Sequence, residues 1–343
     1  MTSWKTYRLG DICTLNYGKS LTATNRVAGD VPVYSSAGIT GWHNTPLVQS
    51  RGIVVGRKGT VGTVYYSDKP FYCIDTAYYI LPNDEKYDFK WLYYRLKSLH
   101  LDKLNEDSAV PGLNRETAYA QEFSLPPLEE QRRIAGILGA IDDKIENNRR
   151  INANLESQAQ ALYKQWFVDN RSDDCETKKL SEFFNVVTGK KDANFSTTDG
   201  EYPFFTCSQD VLKAPDYSFE GAAILLAGNG DFNVKRYIGK FEAYQRTYVL
   251  IPFDRKYHSF LYLTIKHYLQ KITGGSRGSV IKFITKGNIA DFEVALPQIN
   301  IDDKLAVLDS LYQTIDGNMT ENENLATLRD TLLPKLMNGE IKL

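Results

Sequence analysis

The sequence has few of the residues that build metal sites, disulfides and membrane spans. Its cysteines, Cys13, Cys73, Cys175 and Cys207, form no CxxC pair, and its four histidines show no ligand spacing. Neither a zinc site nor a disulfide framework is indicated, which favours a reducing compartment. The longest apolar run, at 222–227, is too short to cross a bilayer. Because the N-terminal residues also lack the apolar core of a signal peptide, we expect a cytoplasmic protein without a membrane partner.

Motifs of known catalytic sites are also missing. Gly18-Lys19-Ser20 resembles the end of a phosphate-binding loop, but Cys13 stands where that pattern requires glycine. The sequence contains no HExxH zinc motif and no Asn-Pro-Pro-Tyr-like tetrapeptide to hold a flipped adenine. These absences favour a binding protein. They leave open a stand-alone nuclease or nucleic-acid-modifying enzyme with an unrecognised site, and a scaffold that binds only protein.

An internal duplication is the strongest pattern in the sequence. At an offset of 171 residues the matches include Leu9 with Leu180, Gly18-Lys19 with Gly189-Lys190, Gly59 with Gly230, and Leu125-Pro126 with Leu296-Pro297. At an offset of 170 they continue with Leu138 and Leu308, Asn152 and Asn322, and Leu162 and Leu332. Solenoid units run only about 20 to 50 residues, so this period indicates a duplicated domain. Two similar units suit a ligand that offers two sites at a fixed separation, such as duplex DNA.

The charge of the chain is balanced overall and uneven locally. A net charge of -1 and a pI near 6.5 are not typical of a nucleic-acid-binding protein. However, the segments 31–67 and 255–290 contain no acidic residue and several lysines and arginines. Local basic surface of this kind is what phosphate contact requires. Chance clustering on a solvated face is the alternative.

Each repeat begins with a part that is rich in short apolar runs between turn residues. Runs such as Gly52–Gly56 and Ala222–Leu226 predict short strands of a mixed or antiparallel sheet. Apolar residues at helical spacing predict one amphipathic helix in each part, near Phe89–Leu99 and Phe260–Leu269. The predicted fold class is therefore α+β, with two similar mixed α/β domains.

Each repeat ends in a long predicted helix with an apolar stripe. The stripe residues are Ile134, Leu138, Ile141, Ile145, Asn152 and Leu155 in the first helix and Leu308, Ile315, Asn322, Leu325 and Leu332 in the second. Neither helix can bury its stripe alone, so we expect an antiparallel, coiled-coil-like pair about a pseudo-two-fold axis. Separate packing of each helix on its own globule, or a coiled coil between two chains, are the alternatives. Gly317 and Pro334 are expected to weaken or kink the second helix.

The predicted boundaries follow this alternation of globule and helix. They are 1–128 and 171–298 for the two globular domains, and 129–170 and 299–343 for the two helical spacers.

One segment resembles a known family. Leu125-Pro126-Pro127-Leu128-Glu129-Glu130-Gln131-Arg132-Arg133-Ile134 is similar to the start of the first conserved helix in specificity subunits of type I restriction-modification systems. The far ends of both helices, at 162–167 and 332–341, are also similar to that family. The second copy departs from the first motif and keeps only Leu296-Pro297 of it. The resemblance covers the whole chain.

The resemblance implies a DNA-reading protein without catalysis of its own. Each globule is then a target recognition domain that reads half of a bipartite site in double-stranded DNA. The helix pair sets the half-site spacing and docks the modification (methyltransferase) subunits, and a restriction (endonuclease/translocase) subunit then joins. The implied cofactors, S-adenosylmethionine, ATP and Mg, belong to those partner subunits, and none is expected in this chain.

Candidate DNA-binding residues lie in loops where small residues permit close approach and donors reach bases or phosphates. In the first repeat they are Ser36, Arg57, Lys58, Thr60, Asn114 and Arg115. In the second they are Ser208, Gln209, Asn229, Arg277, Ser279 and Lys282. For any single residue, a hairpin turn with solvated side chains is the alternative to base contact.

Overall fold

The computed structural model describes residues 4–104, 112–170, 175–274, 282–297 and 300–343. The strands of the first half are β1 Lys5–Arg8, β2 Asn16–Tyr17, β3 Val31–Ser35, β4 Gly38–His43, β5 Gly52–Gly56, β6 Val64–Ser67, β7 Tyr72–Cys73, β8 Ala77–Ile80 and β9 Glu122–Leu125. Its helices are α1 Leu9–Ile12, α2 Phe89–Ser98, α3 Arg115–Tyr119 and α4 Leu128–Lys164. A π-helical turn at Gln165–Asp169 continues α4.

The second half repeats this order. Its strands are β10 Cys175–Lys179, β11 Phe184–Thr188, β12 Tyr202–Phe205, β13 Val211–Ala214, β14 Phe219–Ala227, β15 Val234–Ala243, β16 Thr247–Pro252 and β17 Glu293–Pro297. Its helices are α5 His258–His267, α6 Leu269–Thr273, α7 Lys286–Ala290 and α8 Ile301–Met337. None of the helices in the described ranges combines the length and the apolarity that a bilayer span requires.

The chain divides into two compact units. Unit 1 is Met1–Asn147 with Glu321–Leu343, and unit 2 is Asn148–Thr320. Each unit therefore contains one globular domain and one part of each long helix. The boundaries predicted from the sequence separate globules from helices, whereas packing joins each globule to the helical segments beside it.

Both units contain mixed sheets, as the sequence predicts. Unit 1 has a four-stranded sheet in the order β2-β8-β5-β6, a three-stranded sheet β4-β3-β7 and the pair β1-β9. Unit 2 has a six-stranded sheet β11-β16-β14-β15-β12-β13 and the pair β10-β17. Among the strands of the described residues, pairing is antiparallel except between β3 and β7 and between β12 and β15. The parallel pair lies at the same place in both units.

The duplication extends to individual hydrogen bonds. Leu9 N–H donates to Gln121 O at 2.9 Å, and the matching Leu180 N–H donates to Phe292 O at the same distance. The strand registers are also equivalent. Lys5 lies opposite Leu125 in the pair β1-β9, as Glu176 lies opposite Leu296 in the pair β10-β17. Val33 lies opposite Tyr72 in the pair β3-β7, as Phe204 lies opposite Glu242 in the pair β12-β15. The two halves of the sequence therefore form the same fold.

The first turn of α4 is held by the glutamine of its opening motif. Gln131 is 2% exposed, donates to Pro126 O at 2.8 Å and accepts from the Asp88 N–H at 2.9 Å. Asp88 in turn caps α2, since its carboxylate accepts from the Trp91 N–H at 2.8 Å. The motif thus joins the start of α4 to the start of α2. In unit 2 an ion pair between Lys256 and Asp302, at 3.1 Å, lies at the start of α8.

The apolar stripes of the long helices contribute to the globular cores as well as to the helix pair. Ile134 and Leu138 lie in the core of unit 1 with Trp91 of α2, and Leu336 of α8 belongs to the same core. The core of unit 2 contains Leu308 and Ile315 in the same way, with Leu155 packed against it. The apolar stripe of each helix therefore packs against the globular domains as well as against the other long helix, which the sequence did not predict.

Side chains of α4 and α8 also meet directly within each unit. In unit 2, Asn152 Nδ2 donates to Ile315 O at 3.3 Å, and Asn318 Nδ2 donates to Asn152 Oδ1 at 2.8 Å. In unit 1, ion pairs join Asp142 to Arg329 at 2.8 Å and Lys144 to Glu321 at 3.1 Å. The order of these pairs shows that the helices are antiparallel. Asn152 lies in the helix contact, and its partner is Asn318.

The remaining stripe residues lie in unit 1. Ile141 and Ile145 are buried, and Asn322, Leu325 and Leu332 are partly buried. Gly317 and Pro334 do not interrupt α8. The helix continues through Gly317, and Pro334 falls in its last turn. A proline there removes a backbone donor only near the end of the helix.

Each unit also ties α8 to its globule through a carboxylate. In unit 2, Arg236 Nη1 and Nη2 donate to the two carboxylate oxygens of Asp316 at 2.6 and 2.9 Å, with the guanidinium over the Tyr312 ring. In unit 1, Asp142 accepts from Tyr94 Oη of α2 at 2.7 Å and from Arg329 of α8 at 2.8 Å. Asp142 thus connects three helices.

A buried histidine makes the stability of unit 2 depend on pH. His258 is 1% exposed at the start of α5, with Nε2 3.1 Å from Ala223 O. Burial lowers the pKa of His258 from 6.5 to about 4, against a smaller opposing effect of the Ala223 hydrogen bond. The neutral form is favoured in the folded state, so the stabilisation is complete above pH 6.5 and is lost as pH falls towards 4.

We expect the free energy of opening of α5 to fall by about 2 kcal/mol between about pH 7.5 and pH 5. Hydrogen exchange of the α5 amides, corrected for the intrinsic rate at each pH, measures this change. His258→Gln keeps a side-chain donor for Ala223 O without a titrating ring, and it should flatten the dependence. An equally steep dependence in that variant would assign the effect to other groups.

Candidate nucleic-acid interface

A polar cleft in unit 1 brings together candidates that are far apart in the sequence. Its volume is about 470 Å³, and the residues that line it are Tyr17, Arg57, Lys58, Tyr78, Gly112, Leu113, Asn114, Arg115 and Glu116. They come from β2, β8, the turn after β5 and the segment that enters α3. The Arg57-Lys58 turn and the Asn114-Arg115 segment, selected separately from the sequence, thus form one site.

Backbone hydrogen bonds fix the two segments against each other. The Leu113 N–H donates to Arg57 O at 2.8 Å, and Lys58 and Gly112 form an antiparallel bridge. Thr76 O accepts from the N–H groups of Arg57 and Lys58 at 2.9 and 3.0 Å. The turn requires glycine at 59, whose φ of 78° lies in the left-handed region. The side chains of the turn are therefore presented on a fixed backbone.

Two arginines of the cleft share one tyrosine ring. The Arg57 guanidinium lies 5.2 Å from the Tyr17 ring centroid, and the Arg115 guanidinium lies 5.3 Å from it. Tyr78 supports the arrangement, with its ring 5.1 Å from that of Tyr17 and 5.9 Å from Arg57. Rings hold the planar guanidinium groups in place while leaving their N–H donors for other partners.

The cleft is electropositive. Among the described residues that line it, Glu116 is the one acid, 3.7 Å from Arg115 Nε with its side chain 78% exposed. An ion pair so exposed contributes little. The Nε atoms of Arg57 and Arg115 are buried and have no hydrogen-bond partner among the described residues. Burial raises the pKa of Tyr78 to about 12, with the Tyr17 phenol adding to the shift, so Tyr78 stays uncharged.

The other first-repeat candidates differ in what they can contact. Lys58 and Thr60 are exposed. Ser36 is only 6% exposed, and its N–H donates to Thr76 Oγ1 at 3.3 Å, so we assign it to support of the turn instead of base contact. Asn114 is exposed, but its Oδ1 caps α3 by accepting from the Glu116 N–H at 2.8 Å. Its Oδ1 is therefore engaged within the protein, and Nδ2 supplies the donors of this side chain.

Unit 2 builds the same turn with other side chains. Asn229 and Phe283 form the matching bridge, and the Ile284 N–H donates to Gly228 O at 3.1 Å. Gly228 stands where unit 1 has Arg57, and Thr188 stands where unit 1 has Tyr17. A Cβ atom at Gly228 would lie 2.4 Å from Arg246 O, so a larger residue here would require the backbone to shift. The arginine pair of unit 1 therefore has no counterpart at these positions of unit 2.

The unit 2 candidates form a polar surface around this turn. Ser208, Gln209 and Lys282 are exposed, and Asn229 is partly buried. Lys235 was not identified from the sequence. Its Nζ donates to Ser208 O and to Asn233 Oδ1, and burial lowers its pKa. The predicted Arg277 and Ser279 lie outside the described residues.

Sequence reasoning also missed Tyr17 and Tyr78. Their signal was weak, because the chain has 22 tyrosines and nothing local separates these two from the rest. In the part of the chain that the structure describes, no group of three or more histidine, cysteine, aspartate or glutamate residues is placed to hold a metal ion.

The family model of the type I restriction modification DNA specificity domain matches residues 1–157 and 172–327. The chain belongs to this family. The two matches coincide with the two repeats, which confirms the resemblance found in the sequence. The chain is therefore grouped with DNA-specificity proteins of type I systems, as predicted, and not with stand-alone enzymes.

Relatives within the type I specificity family match the chain to different extents. The EcoDI specificity subunit of Escherichia coli is 42% identical over 173 residues, which are 49% of this chain and 39% of that protein. The MjaIX specificity subunit of Methanocaldococcus jannaschii is 24% identical over 341 residues, covering 84% of this chain and 77% of that protein. The chain thus spans well under half the length of the E. coli relative.

A solved structure confirms the fold. The S subunit of a type I restriction-modification system from M. genitalium superposes with a TM-score of 0.65 at 19% identity, covering 98% of this chain and 96% of that one. The predicted α+β architecture with two long helices is therefore a fold already seen in a type I S subunit.

Proposed function

We propose that this chain is the DNA sequence-specificity subunit of a type I restriction-modification complex, and that each unit reads one half of a bipartite site. The observation that carries the proposal is the turn after β5 and β14, built twice on equivalent hydrogen bonds with different side chains. A fixed frame with exchangeable donors suits two half-sites of different sequence. The electropositive cleft of unit 1 adds contact with the DNA backbone.

The long helices supply the spacing in this proposal. Both α4 and α8 pass from one unit into the other, and a 37-residue helix is about 55 Å long at 1.5 Å per residue. A chain that reads two half-sites through such a pair responds to their separation as well as to their sequence.

The same helices offer a surface for partner subunits. Ile151, Val307 and Met319 in unit 2 are 38%, 44% and 54% exposed, and Leu328 in unit 1 is 47% exposed. Covering such apolar side chains with a partner removes their surface from water, which is favourable. We propose that modification subunits dock there, that a restriction subunit joins them, and that those partners hold S-adenosylmethionine, ATP and Mg.

Reconstitution tests the proposal. The full chain is co-expressed with an adenine methyltransferase subunit of a type I system from the same cell and purified through a tag on the chain. Co-purification and methylation of duplex DNA that requires both proteins are the expected results. Methylation or cutting by the chain alone would favour an enzyme. Failure to co-purify, with no effect of the chain on methylation, would contradict the proposal.

A further inference from the structure

We propose that Arg57 and Arg115 of unit 1 clamp one phosphate group of the DNA backbone, and that unit 2 has no equivalent clamp. The inference rests on the proposed function, since it names what the cleft of unit 1 binds. It makes the two recognition domains unequal: unit 1 anchors the backbone at a position where unit 2 does not.

The arrangement of the two arginines favours an anion. Both guanidinium groups approach the same Tyr17 ring, at 5.2 and 5.3 Å, and the Tyr119 ring lies 5.9 Å from the Arg115 guanidinium. The groups are positioned by aromatic rings, and their like charges repel each other. An anion between them would replace this repulsion with two attractive contacts.

The orphaned donors point to the same conclusion. Arg57 Nε and Arg115 Nε are both buried without a hydrogen-bond partner among the described residues, and the exposed Glu116 carboxylate lies 3.7 Å from Arg115 Nε, beyond hydrogen-bond distance. A buried donor without a partner is costly, so a ligand that accepts from it gains that energy on binding. Lys58 and Asn114, exposed at the rim of the cleft, supply further donors to the same ligand.

The shape of the site favours a phosphate over a base edge. Base edges lie in the floor of a groove and are read by side chains that protrude into it. Arg57 and Arg115 instead line a concave cleft of about 470 Å³, which suits a charged group that protrudes from the DNA. The planar fork of a guanidinium fits phosphate oxygens two at a time.

The matching position in unit 2 differs for a structural reason. Gly228 replaces Arg57, and a side chain there would require a backbone shift, since its Cβ would lie 2.4 Å from Arg246 O. Thr188 replaces Tyr17, so the ring that would orient a guanidinium is absent as well. At the positions that match Arg57 and Arg115, unit 2 has one cation, Lys286, which matches Arg115.

The salt dependence of DNA binding tests the clamp. The full chain is titrated with duplexes of several unrelated sequences, and the dissociation constant is measured from about 50 to 200 mM salt. Each phosphate contact contributes about 0.9 to the slope of log affinity against log salt, so the Arg57→Ala/Arg115→Ala double variant should lose about 0.9 in slope. The ratio of the wild-type affinity to the affinity of the double variant should then fall about 3.5-fold between these salt concentrations, and it should do so equally on all duplexes.

Three further variants serve as controls. Lys86→Ala removes an exposed cation of unit 1 that does not line the cleft, and it should change the slope less than the double variant does. Tyr17→Phe keeps the ring that orients both guanidinium groups and should lose less slope than Tyr17→Ala, which removes that ring. Thermal unfolding of each variant shows whether it is folded.

The outcomes separate the clamp from the proposed function. Wild-type chain that binds none of the duplexes would count against the proposed function and the clamp together. Wild-type binding with an unchanged slope in the folded double variant would overturn the clamp alone. A loss confined to duplexes with one particular base pair would also overturn it, because it would identify Arg57 or Arg115 as a base reader.

Discussion

A chain lengthened by four residues in both α4 and α8 is expected to recognise half-sites one base pair farther apart. The insertions go after Asn147 and after Thr320, where the chain passes from one unit to the other. Four helical residues add a rotation of about 400°, which is about 40° beyond a full turn. One base pair adds about 34° in the same right-handed sense, from 10 to 10.5 base pairs per turn.

The rotation that the inserted residues add to each helix matters more for this prediction than the added length. Four residues add about 6 Å of helix, against about 3.4 Å for a base pair, and the difference is small compared with the width of a groove. A half-site turned to the wrong side of the duplex cannot meet its reading surface at all. The lengthened chain should therefore bind the original site at the non-specific level, which is at least about 10³-fold weaker.

Binding selections with randomised duplexes would identify the preferred spacing of both chains. The inserted residues should be good helix formers, such as alanine, glutamate and lysine. An insertion in α4 alone is the control, since it shifts one helix against the other and should lower stability without creating a new preferred site. An unchanged spacing in a folded, doubly lengthened chain would show that the helices do not set it.

Asp142→Ala is expected to destabilise unit 1 by about 2 to 3 kcal/mol. The variant removes the acceptor shared by Tyr94 of α2, at 2.7 Å, and Arg329 of α8, at 2.8 Å. The Asp142 and Arg329 side chains are only 24% and 19% exposed, so water replaces the lost contacts poorly. The segment of α8 in unit 1 should exchange its amide hydrogens faster as a result.

Asp143→Ala is the matched control for this prediction. Asp143 is the next residue, has the same charge and pairs with Lys90 at 3.2 Å, but its side chain is 75% exposed. Such a pair contributes at most about 1 kcal/mol. Denaturant unfolding and hydrogen exchange of α8 compare the two variants. Equal losses of stability in the two variants would mean that Asp142 stabilises unit 1 no more than an exposed ion pair does.

Periodic and repeated features of the sequence predicted most of the fold. Gly52–Gly56 is β5, the Phe89–Leu99 pattern is α2, and the long stripes are α4 and α8. The duplication located equivalent elements in both units. The packing of Ile134 and Leu138 into the core of unit 1 could not be read from the stripe, because a globule and a second helix both accept the same apolar face.

The site was predicted in parts and assembled only by the structure. Arg57 and Arg115 were selected from two loops, but nothing local indicates that both would share the ring of Tyr17. The burial of Ser36 depends on the turn at Gly59, a contact distant in the sequence. Patterns with a period of two or four residues report which face of an element is buried, and they carry no information about which loops meet.

Single-molecule mapping of methylated adenines tests most directly whether each unit reads half of one site. The DNA comes from cells that carry this chain and its modification partner, with cells lacking the chain as reference. We expect one motif with two defined parts, separated by a fixed number of unspecified base pairs and absent from the reference. A single uninterrupted motif, or the same methylation in both cell lines, would contradict this function.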